Sequence, residues 1–518
     1  MGNTSSANRI AKNTFFLYLR SFVIMVITIY TSRVVLKTLG VEDYGIYNLV
    51  GGVVALFSSL KSVFSSAIQR YINYTRGLGD EEGVKHIFSL SIIIQAVLAL
   101  LFFGLVEGFG LWFIPHKLVI PEGMMSTAMF VFHCSLITSV ISILAVPFDA
   151  LVIANEKMNY YAYISITEAV LKLAIVFTLP VLPFVQLKSY AVLIMAVHVL
   201  IVMINMLYCR RFPECRIEKY WNKDLFKQLA SFSGWNFLGN IVYTLIQEGT
   251  NIILNLFAGV VANAARGIAA QVRSALTVLS DNLYTASKPF VMQQAATVEK
   301  KTLFNYIYIL SRVIFYVMLV TTIPIIIYAK QILGIWLVEI PEYTVSFVRV
   351  IMLYVLVRSF HSPIVMLFFA VGSIKRFQIT ECIIGILGLP LIYGFLYCGL
   401  PLYSAFIAMI IIDIINLLAI VLVAQKEMGF KLTDYLLKVI SRCGLAFVAV
   451  AVAAGAFYYF THNANKYVAI IWFVLLALSE LAVVYFVVLQ EEEKLLIKNM
   501  FAKVKNRKNN QSIIDEKR

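Results

Sequence analysis

Apolar residues in this chain arrive in continuous blocks of about 20, and that spacing decides the fold class before any motif is consulted. A block of this length, coiled as a helix, crosses the hydrocarbon core of a bilayer. Inside that core each backbone amide must find its partner within the helix. The blocks lie near residues 14–36, 45–68, 87–114, 124–154, 160–180, 186–208, 232–257, 260–286, 304–328, 344–371, 377–398, 402–424, 438–460 and 467–489. The expectation is an all-α polytopic membrane protein of about fourteen transmembrane helices. A transmembrane barrel would show alternating segments of about ten residues instead. With 61% hydrophobic and 14% charged residues, little sequence is left for a soluble domain.

The charges are distributed by side. Alternate connections carry Arg70/Arg76/Lys85, Arg210/Arg211/Arg216/Lys219/Lys223/Lys227, Lys288/Lys300/Lys301, Lys375/Arg376, Lys426/Lys431/Lys438 and the tail from Lys494 to Arg518. The other side offers little beyond Lys37, Lys117, Lys188, Lys330 and Lys466. This asymmetry predicts both termini in the cytoplasm. It also accounts for much of the net charge of +15 without a nucleic-acid partner. The N-terminus is polar and the first block lacks a small-residue cleavage site, so no removed signal peptide is expected.

The chain reads as two halves. The widest inside loop, CRRFPECRIEKYWNKDLFK from Cys209, falls between the sixth and seventh spans. Pro147-x6-Ala154 with Ile166-Thr167-Glu168 recurs as Pro363-x6-Ala370 with Ile379-Thr380-Glu381, at offsets of 216 and 213. Gly40-Val41 before Gly45-Ile46 recurs as Gly259-Val260 before Gly267-Ile268, at offsets of 219 and 222. Six spans is an even number, so the halves should be pseudo-repeats related by an axis along the membrane normal. The expected organisation is an N-lobe over 1–210, a cytoplasmic linker over 211–231 and a C-lobe over 232–425. Two further helices over 438–490 and a basic cytoplasmic tail over 491–518 complete it.

Polar groups within spans point to a pathway. The seventh span carries Asn236, Asn240, Thr244, Gln247, Asn251 and Asn255 on one face, more amides than packing requires. The eighth carries Asn263, Arg266, Arg273, Thr277 and Ser280 on one stripe. The first span offers Thr14, Tyr18, Ser21, Thr28 and Ser32, and the second Asn48, Gly52, Ser59, Ser62, Ser66 and Gln69. A polar cavity between the halves would satisfy all four stripes, although small-residue stripes such as that of the second span also serve helix packing. Arg266 and Arg273, seven residues apart, could grip a phosphate or diphosphate with their forked donors, or could pair with a carboxylate and snorkel. Arg20, Arg33, Lys61, Arg312, Arg349 and Arg358 are weaker cases of the same kind.

Among intramembrane carboxylates, Glu248, Asp413 and Asp281 are the candidates for ion coupling. Glu168 has Lys172 four residues on and reads as a neutralised helical pair. The six histidines, 86, 116, 133, 198, 361 and 462, form no metal-ligand spacing, and neither a nucleophile elbow nor a Walker loop occurs. The six cysteines show no C-x-x-C pair. Neither an enzyme nor a cofactor is expected.

The segments NTFFLYLR from Asn13, YTSRVVLKTLGVEDYGIYNLVGG from Tyr30, VPFDALVIANEKMNYYAYISITEAVLKL from Val146 and ARGIAAQV from Ala265 carry a resemblance. They are similar to bacterial polysaccharide flippases of the Wzx type, especially members from Bacteroides-like bacteria. These belong to the multidrug/oligosaccharidyl-lipid/polysaccharide exporter superfamily. The resemblance implies two six-helix lobes, two extra helices and alternating access. The implied cargo is an undecaprenyl-diphosphate-linked oligosaccharide, passed from the cytoplasmic to the periplasmic leaflet of the inner membrane. Such cargo serves O-antigen (lipopolysaccharide), capsule or exopolysaccharide assembly. Arg266, Arg273 and Arg33 fit diphosphate contacts; Asn236, Asn240, Gln247 and Asn251 suit the sugars. A monomer among membrane lipids is expected, since the path lies between the lobes of one chain, with coupling to H⁺, to Na⁺ or to neither left open and polysaccharide polymerase machinery as a further partner. A lipid II flippase and a cation-coupled drug antiporter of the same superfamily are the alternatives. A membrane glycan polymerase or ligase is disfavoured, because the outer loops are short.

Overall fold

The computed structural model describes residues 2–57, 68–69, 71–72, 75–76, 79–155, 157–182, 185–216, 218, 220–297, 299–372, 374–461, 466–489 and 494. Side chains within 2–19, 228–240 and a few later helical positions lie outside that description. Among the described residues there is helix and no strand. Twelve helices are long and apolar enough to cross a membrane.

Two of the twelve are double. The helix α1, Gly2–Ala55, breaks at Gly40, whose φ is 79° and ψ 176°. Four helices then follow: α2 (Glu81–Lys117), α3 (Met125–Ala154), α4 (Met158–Thr178) and α5 (Gln186–Cys209). The helix α6, Lys223–Thr297, breaks at Gly259 with φ 63° and ψ −162°. Twelve residues of straight helix would hold Asn251 and Asn263 about 18 Å apart. Instead the Asn263 amide donates to the Asn251 carbonyl at 2.7 Å, so the chain doubles back at Gly259. Among the described residues each of these two helices thus holds two helical segments, in keeping with the fourteen apolar blocks of the sequence. Gly40 and Gly259 are 219 residues apart in sequence, one of the repeat offsets. Both sit in backbone that a side chain would strain.

The second arm of each broken helix then packs tightly. A Cβ on Gly45 would come within 2.1 Å of the Val260 carbonyl oxygen, and one on Gly267 within 2.8 Å of the Asn48 side chain. Small residues at both crossings let the backbones approach. The later helices are α7 (Lys300–Ile327), α8 (Ala329–Trp336), α9 (Thr344–Arg358), α10 (His361–Val371), α11 (Ile374–Ile386), α12 (Gly388–Tyr397), α13 (Ser404–Met428), α14 (Leu432–Tyr435), α15 (Ser441–Thr461) and α16 (Lys466–Val483). The chain breaks helix at Ser359–Phe360, so Pro363 falls in the first turn of α10, where its missing N–H costs nothing.

Two compact units emerge. One comprises residues 1–271, 336–347 and 381–412, and the other 272–335, 348–380 and 413–518. In the first, α1 packs on α4, α2 on α3, and α3 on α5. In the second, α15 packs on α7 and α16. The terminal pair is fixed to α7 by polar bonds as well. The Tyr328 and Thr461 hydroxyls meet at 2.6 Å, and Arg312 donates to the Lys438 carbonyl at 2.8 Å. Large apolar side chains such as Leu100, Leu445 and Phe486 point outward, as lipid-facing residues do.

Candidate functional site

The first unit encloses a cavity of about 460 Å³. From α1 it is lined by Arg20, Ile24, Ile27, Thr28, Thr31, Ser32 and Val35, a run at spacings of three and four that places all of them on one helical face. From α4 it receives Tyr161, Ser165, Glu168 and Lys172, again one face. The helix α3 adds Ser142 and Asp149, α5 adds Tyr190, His198 and Asn205, and the inner arms add Tyr44, Tyr47, Asn48 and Gln271. The first-span stripe of the sequence thus reaches the cavity through Thr28 and Ser32, and the second-span stripe through Asn48.

Most ionisable groups in the cavity are already paired. Glu168 holds Lys172 at 2.7 Å, the i,i+4 pair expected from the sequence, and His198 Nδ1 lies 3.5 Å from the same carboxylate. With Nδ1 donating to Glu168, the His198 Nε2 accepts from the Ser142 hydroxyl at 2.6 Å. Asp149 accepts from the Asn205 amide at 2.7 Å. Tyr44 accepts from the Gln271 amide at 2.9 Å, and the Tyr47 and Tyr190 rings meet edge to face at 5.1 Å.

Arg20 is different. Its guanidinium lies over the Tyr161 ring, 4.5 Å from the centroid, as a cation–π pair. Its buried Nε has no hydrogen-bond partner, and among the described residues no carboxylate pairs with it. A forked guanidinium that no carboxylate among the described residues pairs thus stands on the wall of a cavity whose own carboxylates, Asp149 and Glu168, hold Asn205, Lys172 and His198.

Of the substrate-contact candidates named from the sequence, Arg33, Gln247, Asn251, Arg266 and Arg273 do not line this cavity. Asn251, Asn255 and Asn263 are buried to 1% exposure or less and bond one another. Asn263 donates to the Asn251 Oδ1 at 2.8 Å, Asn255 to the Asn263 Oδ1 at 3.1 Å, and Asn251 to the Asn48 carbonyl at 3.2 Å. Asn255 also clamps Val119 through its backbone N–H and carbonyl, at 2.8 and 2.9 Å. Buried amides are costly until paired, and here the fold of α6 supplies the pairs. Arg266 is likewise buried and donates to the Gln247 carbonyl, across the same fold. Gln247, Asn251 and Arg266 therefore stand in a helix-packing network, and neither they nor Arg33 line the cavity. The side chains of Asn236 and Asn240 lie outside the described residues, as does Lys61. Arg273 is half-buried in the second unit.

The carboxylate candidates separate too. Glu248 lies against Gly52, where an added Cβ would come within 2.7 Å of its Oε2. Asp281 is exposed. Asp413, which has no basic neighbour along its own helix, meets Arg358 of α9 at 3.1 Å. Sequence reasoning missed the cavity cluster of Arg20, Asp149, Glu168 and His198 as a unit. The available signal was the 3.6-residue recurrence of Tyr161, Ser165, Glu168 and Lys172.

No family model matches the sequence, and no curated protein matches it. Solved structures do. The lipid II flippase MurJ in an inward closed conformation superposes with a TM-score of 0.68 at 13% identity, over 91% of this chain and 99% of that one. An inward-facing multidrug resistance MATE transporter of the MOP superfamily gives 0.65 at 15% identity, over 80% and 98%. A MOP-superfamily transporter from Pyrococcus furiosus gives 0.59 at 15%, over 81% and 96%. The chain has the fold of MOP-superfamily transporters, and it is a multi-pass membrane protein.

Proposed function

We propose that this protein is a flippase for undecaprenyl-diphosphate-linked oligosaccharides, carrying them from the cytoplasmic to the periplasmic leaflet of a bacterial inner membrane by alternating access. The resemblance of its sequence to Wzx-type polysaccharide flippases supports this reading. So does the extent of the likeness to the MurJ flippase, which covers a tenth more of this chain than the MATE structures do, about the length of two spans. Arg20 is the observation that carries it. A drug-cation carrier gains nothing from a cavity guanidinium that no carboxylate pairs, whereas a diphosphate cannot enter hydrocarbon without such a partner.

In this scheme Arg20 takes the diphosphate. Tyr161, Tyr47 and Tyr190 offer ring faces to the sugars, and Asn48, Thr28 and Ser165 offer hydrogen bonds. The polyprenyl tail stays in lipid. Arg33 and Arg273 are retained as further anion contacts, each on its own unit. Glu248, Asp413 and Asp281 are retained as coupling candidates, joined now by the Glu168–His198 pair. The test is transfer of a fluorescent undecaprenyl-diphosphate oligosaccharide across proteoliposomes, with and without an H⁺ or Na⁺ gradient. Transfer by the parent supports the proposal. A folded parent that moves no lipid-linked saccharide but exchanges an organic cation for protons overturns it.

A further inference from the structure

The long loop that follows α5 does not hang free; part of it is fixed to the start of α2. Ser89 donates its hydroxyl to the Arg216 carbonyl at 3.1 Å and accepts the Glu218 N–H at 3.0 Å, which holds the backbone that leads into the loop carboxylate. The His86 ring lies flat on Tyr220, with centroids 3.8 Å apart and planes 6° from parallel. Its Nε2 is then 3.8 Å from Glu218 Oε2. Glu82, one turn before His86 on α2, brings a third donor to the same place. One ligand atom from each of Glu82, His86 and Glu218 lies within 4.8 Å of the other two.

We propose that Glu82, His86 and Glu218 form a binding site for a divalent transition-metal ion of the zinc class. One imidazole nitrogen and two carboxylate oxygens suit such an ion, with water completing the tetrahedron. Donors around a tetrahedral zinc stand about 3.3 Å apart, given bond lengths of about 2 Å. The three ligand atoms already lie within 4.8 Å of one another, and Glu82, 65% of whose side chain is exposed, closes the remainder by side-chain rotation once it leaves Lys85. The His86 ring and the Glu218 backbone are already held by Tyr220 and Ser89, the kind of outer support that orients metal ligands. Lys85 now bonds Glu82 and is the internal cation that the metal displaces. Spacing along the sequence does not reveal this site, because His86 and Glu218 are 132 residues apart. Occupancy ties the loop to α2.

The experiment is calorimetric titration of the purified full chain with Zn²⁺ alone, paired with limited trypsin digestion at Arg216 and Lys223. The expected result is one site per chain of micromolar affinity, weakened at least tenfold in His86→Gln and in Glu82→Gln. Zn²⁺ slows cleavage of the loop in the parent and not in either variant. The exposed Glu82 gives a variant whose folding is not at stake, and Cys215→Ser, which removes the loop thiol, should leave the titration unchanged. Unaltered affinity in both ligand variants, loss of binding in Cys215→Ser, or no site tighter than about 1 mM in the parent would each overturn the proposal.

Discussion

Two helix pairs, one in each sequence half, occupy matching places in the repeat and have been put to different use. In the first half, Ser142 of α3 bonds His198 of α5 at 2.6 Å. In the second, Arg358 of α9 bonds Asp413 of α13 at 3.1 Å. The offsets are 216 and 215, within the range of the other repeat matches. The first pair is a hydroxyl–imidazole hydrogen bond on the wall of a polar cavity, and its imidazole also reaches Glu168. The second is an ion pair whose acid is only 8% exposed. The same contrast separates the two guanidinium groups: Arg358 has its carboxylate, and Arg20 has none among the described residues. One scaffold position thus serves as an ion-paired tie in the second half and as part of a polar cavity wall in the first.

Breaking the ion-paired tie should have the largest effect. Asp413→Ala removes the carboxylate that Arg358 holds at 3.1 Å, and the expected loss is on the order of 2–3 kcal/mol, reduced from the fully buried case because Arg358 is partly exposed. A thermal melt in detergent reads it, and an unchanged melting temperature would mean that the pair is ornamental. Arg20→Gln should do the reverse. Melting should stay near that of the parent while transfer of lipid-linked oligosaccharide falls about 30-fold, equivalent to about 2 kcal/mol. A variant that both unfolds and fails would place Arg20 with Arg358 as a structural group.

Smaller changes sharpen the correspondence between halves. Gly40→Ala and Gly259→Ala each force a side chain into left-handed backbone, so each should cost about 1–2 kcal/mol, and by similar amounts. Unequal losses would show that the two breaks are not equivalent in energy. Lys172→Gln removes one partner of a partly exposed helical pair and should cost only about 0.3–0.5 kcal/mol in stability. Its larger consequence would be on transfer, since it frees Glu168 to repel an anion that Arg20 attracts.

Much of the fold was legible in sequence because its determinants are local. Apolar run length marks each pass, and Gly40 and Gly259, with their following Gly45 and Gly267, mark where α1 and α6 break and carry the sequence repeat. The Glu168–Lys172 pair was legible for the same reason, being four residues apart on one helix. The cavity was not, because it assembles side chains from α1, α3, α4, α5 and the inner arms, and no spacing along the chain records that convergence. The amide stripe of α6 was legible as a stripe, but not its partners. Its periodicity is real, but periodicity cannot say whether the facing group is cargo or, as for Asn251 and Asn263, the other arm of the same folded helix. Asp413 teaches the same lesson, for its basic partner lies 55 residues away on α9.

The central claim is that the cavity of the first unit receives the charged headgroup. The most direct measurement is photo-crosslinking of labelled undecaprenyl-diphosphate oligosaccharide to single benzophenone substitutions at Thr28 and Ser165, which line the cavity, and at Val97, an exposed apolar position on α2. The account predicts headgroup labelling at Thr28 and Ser165 that free oligosaccharide diphosphate competes away and that Arg20→Gln abolishes, with none at Val97. Equal labelling at all three positions, or labelling at Thr28 and Ser165 that survives Arg20→Gln undiminished, would contradict it.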